Sequence, residues 1–103
     1  MKFAAALLTP REESSEARRF PASLLLDEPS LGLAPMVVRD IARAVVEINR
    51  DEGISVILVE QNSRMALKIS NRAYALEIGR IALAGKSADL LNDDHIRKLY
   101  LGG

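Results

Sequence analysis

The sequence predicts an α/β fold, a partial parallel sheet with flanking helices. Two apolar runs, Ser23–Asp27 and Ile54–Val59, have the length and composition of strands, and the residues between them carry a helical period. Polar side chains gather where each run ends, Asp27-Glu28 after the first and Glu60-Gln61-Asn62 after the second. Strand, helix, strand is a βαβ unit, and open α/β sheets bind ligands beyond the carboxyl ends of their strands. The chain is 103 residues long, 49% hydrophobic and 27% charged, which suits one small globular domain or part of a larger one. Formal net charge is zero, so no bulk field draws it toward nucleic acid or anionic lipid. Cysteine is absent, which removes disulfides and thiolate metal sites.

Taken in order, residues 1–22 read as an arm with no assigned place in the fold. Met1 to Leu8 resembles a short leader, but charges follow from Arg11 without a convincing cleavage site. Pro10 and Pro21 punctuate a polar stretch of mixed charge, Arg11 to Arg19, that is read as weakly ordered. Residues 23–103 form the second unit. Ser23–Asp27 is its first strand. Ser30 to Ala34 is a loop whose Gly32 is free to take positive φ. Pro35 suits the first turn of a helix that runs to about Asp51. Val38, Ile41, Ala42, Val45, Val46 and Asn49 make its inner stripe, Arg39, Asp40, Arg43, Glu47 and Arg50 its solvated face, and Gly53 its end.

Ile54–Val59 is apolar on both faces, as a central parallel strand should be. Ser63 is a plausible cap for a short helix to about Ser70. Arg72–Ile78 and Arg80–Ala84 flank Gly79 as a strand pair. Two short helices, Ser87–Leu91 and Asp93–Leu101, close the chain, with Asn92-Asp93-Asp94 able to cap the second. His95 reads as a solvated surface residue, and the methionines suggest nothing beyond packing.

The Asp27-Glu28-Pro29 string carries the chemistry. Neighbouring strand residues point to opposite faces. At a strand end one carboxylate can therefore turn toward a hydrated Mg²⁺ and the other toward a water beside a phosphate. The plain alternative is a pair of solvated acids opening a loop. No G-x-x-x-x-G-K-[ST] phosphate loop occurs anywhere in the chain.

Leu24 to Pro35, L-L-L-D-E-P-S-L-G-L-A-P, closely resembles the Walker B motif and following D-loop of ABC transporter ATPase subunits. Val56 to Asn62 is similar to the switch region of one subfamily, the ATP-binding subunits of bacterial branched-chain amino acid importers. Ala75 to Ile81 resembles its strand-turn-strand, and Tyr100-Leu101-Gly102-Gly103 its carboxyl terminus. The likeness runs from about Leu24 to Gly103 and implies the carboxyl half of a P-loop NTPase domain. It implies Asp27 beside Mg²⁺ through water, Glu28 as catalytic base and Gln61 as a contact to the γ-phosphate of ATP. Gln61 can donate a hydrogen bond there but cannot titrate. It implies Ser30, Leu31, Gly32 and Leu33 as the loop that meets a second ATPase subunit. It further implies membrane permease partners and a peripheral place at the inner face of the plasma membrane, powering amino acid import.

The chain departs from that pattern. The Walker A loop, glutamine loop and signature motif belong upstream of Leu24 and are not in this sequence. Hydrolysis by the chain alone is therefore not expected. Two other readings compete: a non-catalytic interaction fragment or pseudogene product that pairs with an intact subunit, and a fragment of a chromosome-maintenance ATPase. Zero net charge and the Glu60-Gln61-Asn62 string count against the latter. Without a Walker A strand, the strand edges at Leu24–Leu26 or Ile54–Val59 are expected to be bare and the fold marginal.

Overall fold

A computed structural model describes residues 2–9 and 23–101. Among these residues five strands form one sheet, in the order β2-β3-β1-β4-β5. In chain order the elements are β1 (Lys2–Leu7), β2 (Ser23–Asp27), α1 (Pro35–Glu52), β3 (Ser55–Glu60), α2 (Ser63–Ile69), β4 (Arg72–Glu77), β5 (Arg80–Lys86), α3 (Ser87–Asn92) and α4 (Asp94–Tyr100).

The expected βαβ unit is present. β2 and β3 run parallel, with Leu24 opposite Val56 and Asp27 opposite Val59. Parallel character stops there, because the other three strand pairs are antiparallel. β3 is interior to the sheet but covered on one face only. Val56 and Leu58 are buried, whereas Ile57 and its cross-strand neighbour Leu25 are 45% and 68% exposed.

β1 is the element that the sequence reading does not assign. Residues 1–22 read as an arm, yet Lys2–Leu7 lies at the centre of the sheet, paired with β3 on one side and β4 on the other. The arm reading therefore does not hold for these six residues, while its polar part, residues 10–22, lies outside the described residues. Alanine has little intrinsic preference for strands. Here a two-residue period decides instead: Phe3, Ala5 and Leu7 are buried and the residues between them half-buried. Asn71 fixes the far end of the strand. Its Oδ1 accepts the Leu8 N–H at 2.6 Å, and its own N–H donates to the Ala6 carbonyl at 2.8 Å. β1 thereby covers the β3 edge that was expected to be bare. The outer edge of β2 stays unpaired among the described residues.

α1 starts at Pro35 and is followed by Gly53 at φ +65°, a left-handed end that glycine takes without steric cost. Its inner stripe is as expected, with Val45 buried against Leu7 and Val56. Asn49 completes that stripe as a polar bracket, its Nδ2 donating to the Leu7 and Ile54 carbonyls at 3.2 and 2.9 Å. The cap of α2 is Asn62 rather than Ser63. The Asn62 Oδ1 accepts the Met65 N–H at 3.2 Å. Asp93 caps α4 in the same way through Ile96. Phe3, Ala5, Leu58, Ala66, Ala73 and Ala75 form the heart of the main core, with Leu90 and Ile96 closing it from α3 and α4. Met36 is exposed, outside any packing role.

Candidate functional site

The carboxyl ends of the parallel pair bring the predicted residues to one rim of the sheet. Glu28 continues the β2–β3 ladder by one residue, donating its N–H to the Val59 carbonyl at 2.7 Å. The chain then turns sharply, and Glu28 itself sits at φ +49°. A non-glycine residue in that left-handed region carries strain, and strain of this kind concentrates at functional sites. The following turns are closed by Leu31 N–H to Glu28 carbonyl and Leu33 N–H to Ser30 carbonyl, both 3.1 Å, with Gly32 at φ +75°.

Glu60 ties this loop to the end of β3. Its carboxylate is 2% exposed and accepts the Ser30 N–H at 2.9 Å, the Ser30 hydroxyl at 2.8 Å and the Asn62 N–H at 3.2 Å. Three donors satisfy a buried charge that would otherwise be costly. Sequence reading treats Glu60 only as part of a polar strand end. The signal it lacks is the pairing with Ser30, thirty positions earlier in the chain.

Glu28, Ser30, Leu31, Gly32, Leu33 and Gln61 all border one cavity of about 610 Å³. Its far wall is α1 and α2, which contribute Val38, Met65 and Ile69, and the cations Arg39, Arg64 and Lys68 also border it. Gln61 is exposed beside Glu60, free of the burial that fixes its neighbour. Asp27 is on the same rim but does not border the cavity, and its side chain is exposed. Glu28 is therefore the one of the two adjacent acids that borders the cavity.

Glu28 Oε1 is shielded from solvent and accepts no hydrogen bond. The Lys2 ammonium stands 3.4 Å from it. β1 runs antiparallel to β3, so its first residues arrive at the carboxyl rim, and Phe3 lies opposite Glu60. No spacing rule connects residue 2 with residue 28, and the contact follows only from the position of β1. Among the described residues no three acidic, histidine or cysteine side chains converge as a metal-holding group. No helix of the described residues is long and apolar enough to cross a membrane. His95 is exposed, as the sequence suggests.

Known proteins resemble this sequence over most of its length. No protein-family profile matches the chain. The high-affinity branched-chain amino acid transport ATP-binding protein BraG of Pseudomonas aeruginosa is 51% identical over 83 residues, which is 81% of this chain and 35% of that protein. The lipopolysaccharide export system ATP-binding protein LptB of Escherichia coli is 38% identical over 80% of this chain and 34% of its own length. An uncharacterised ABC transporter ATP-binding protein of Rhizobium meliloti is 37% identical over 80% of this chain and 30% of its own. The chain thus spans about a third of the length of these relatives. Over four fifths of its length, in one continuous span, this chain is similar to ABC transporter ATP-binding proteins, and Asp27, Glu28 and Gln61 lie together on one rim of its α/β sheet.

Proposed function

We propose that the chain is the carboxyl-terminal part of an ATP-binding subunit of a branched-chain amino acid ABC importer. The fit with BraG, whose name carries that activity, supports the substrate class. The shared rim of Glu28, Ser30 and Gln61 around one cavity supports the site and is the observation that carries the reading. In it, Glu28 is the base that orients the attacking water, Gln61 donates a hydrogen bond to the γ-phosphate and Asp27 holds Mg²⁺ through water. The residues fit a cation on one point: Asp27 is an exposed carboxylate at the rim, open to a hydrated Mg²⁺, whereas the Glu28 carboxylate already faces the Lys2 ammonium at 3.4 Å. Bound Mg²⁺ would neutralise charge on the phosphates. The residues do not fit a whole triphosphate, because the chain has no G-x-x-x-x-G-K-[ST] loop to supply the backbone donors and lysine that grip it.

A second ATPase subunit meeting Ser30 to Leu33, and membrane permeases beyond it, complete the proposed assembly at the inner face of the membrane. Leu31 and Leu33 are 64% and 43% exposed on that loop, which favours a partner there. The same exposure supports the alternative of a non-catalytic fragment that pairs with an intact subunit. A phosphate-release assay and a nucleotide titration on the purified chain test the reading. No turnover above background is expected. Turnover that Glu28→Gln abolishes would show that the chain grips nucleotide without the missing loop. Co-purification with a full-length ATP-binding subunit, lost on changing Leu31 and Leu33 to serine, would favour the pairing alternative.

A further inference from the structure

We propose that Lys2 is a resident counter-ion of Glu28 that holds divalent cations off this carboxylate. The proposal rests on the reading of Glu28 given above and adds a residue from outside the parallel unit. Its ammonium stands 3.4 Å from Glu28 Oε1. That oxygen is sealed from solvent and receives no hydrogen bond, so the ammonium is the positive group placed to balance it. Both partners are held by backbone. Lys2 is fixed by the β1 register, opposite Leu76 on β4 and next to the Phe3–Glu60 pair. Glu28 is fixed by its N–H bond to Val59 and by its left-handed turn.

The neighbouring carboxylate does not compete for Lys2. Glu60 is already occupied by Ser30 and Asn62. Arg39, Arg64 and Lys68 border the cavity from the helices, whereas Lys2 reaches Glu28 from the strands. A divalent cation approaching Glu28 Oε1 must come within a few ångströms of an ammonium already there. Charge repulsion at that range lowers its affinity, and the partial exposure of Lys2 keeps the effect modest.

Mn²⁺ is the probe, followed by loss of its free-ion electron paramagnetic resonance signal on the intact chain. It shares the oxygen preference of Mg²⁺ and needs no nucleotide. Lys2→Met is expected to tighten Mn²⁺ binding about tenfold, with the far-ultraviolet circular dichroism unchanged. Lys2→Arg, which keeps the charge, is expected to bind as the natural chain does. Adding Glu28→Gln to Lys2→Met should erase the gain. Unchanged or weaker binding by Lys2→Met overturns the proposal, as does a gain that survives Glu28→Gln. If Lys2→Met alters nothing while Glu28→Gln alone still weakens Mn²⁺ binding, the counter-ion role falls and the reading of Glu28 stands. If neither substitution matters in any background, the counter-ion role falls, while the base role of Glu28 is judged by the phosphate-release assay. Should Lys2→Met lose its fold, Lys2→Gln replaces it under the same criteria.

Discussion

Glu60 is the residue whose role depends most on context. Its carboxylate sits where the β2 loop and the β3 loop meet, and it bonds both. Glu60→Ala leaves the buried Ser30 N–H and the part-buried Asn62 N–H without an acceptor, so a loss of about 2–3 kcal/mol is expected. Ser30→Ala removes only the hydroxyl bond and should cost about 1 kcal/mol. Because the two share one network, the double variant should be less destabilised than the sum by about 0.5 kcal/mol or more. Urea unfolding midpoints of the four proteins check this, and strict additivity would refute the shared network. At this scale the placement of Asp27, Glu28 and Gln61 at the rim is legible from sequence because each lies at the end of an apolar run. Glu60 is legible only as a polar strand end. Lys2 is not legible at all, since nothing in its own neighbourhood marks it.

Among the elements, β2, α1 and β3 stand within a residue or two of their expected bounds, because each has a strong period and a terminal signal. The hairpin is also where the sequence puts it, but its turn is unusual. Ile78 and Gly79 both have positive φ, 48° and 69°, in a two-residue connection. Such turns favour asparagine or glycine at the first position, and a β-branched side chain there is strained. Ile78 is 98% exposed, so nothing is gained from packing it. Ile78→Asn should therefore stabilise the chain by about 1 kcal/mol, a rise of roughly 5 °C in melting temperature. Thermal circular dichroism measures it, with Ile78→Val as the control expected to show no rise.

β1 is the opposite case, an element that sequence patterning misses. Its alternation is written in Phe3, Ala5 and Leu7, but alanine-rich strands give a weak signal, and the neighbouring prolines and charges suggest an arm. Phe3 is fully buried. Phe3→Ala should cost about 3–5 kcal/mol, a large part of the stability of a domain this small. Loss of amide protection in both β3 and β4 on this substitution is the expected readout from hydrogen exchange. Protection lost in only one of them would contradict the central placement.

For the whole molecule, the sheet has one well-covered face and one that is open at β2 and β3. Leu25 and Ile57 lie side by side on the open face, next to the edge of β2 that pairs with no strand among the described residues. An apolar edge of this kind invites association. Leu25→Lys should lower concentration-dependent light scattering while changing unfolding free energy by less than about 0.5 kcal/mol. A scattering profile identical to that of the natural chain would locate the sticky surface elsewhere. The α/β class was legible from the βαβ pattern. The antiparallel majority of the sheet was not, because strand direction depends on how distant segments pair.

One arrangement decides how the molecule comes apart. β3 and β4 share no ladder of their own, and each bonds to β1 instead. The opening segment is thus a keystone between two blocks, the acid-bearing crossover on one side and the hairpin with its trailing helices on the other. A tug on the amino terminus that drew it out would cleave the sheet down the middle and release the ammonium from its carboxylate in the same stroke.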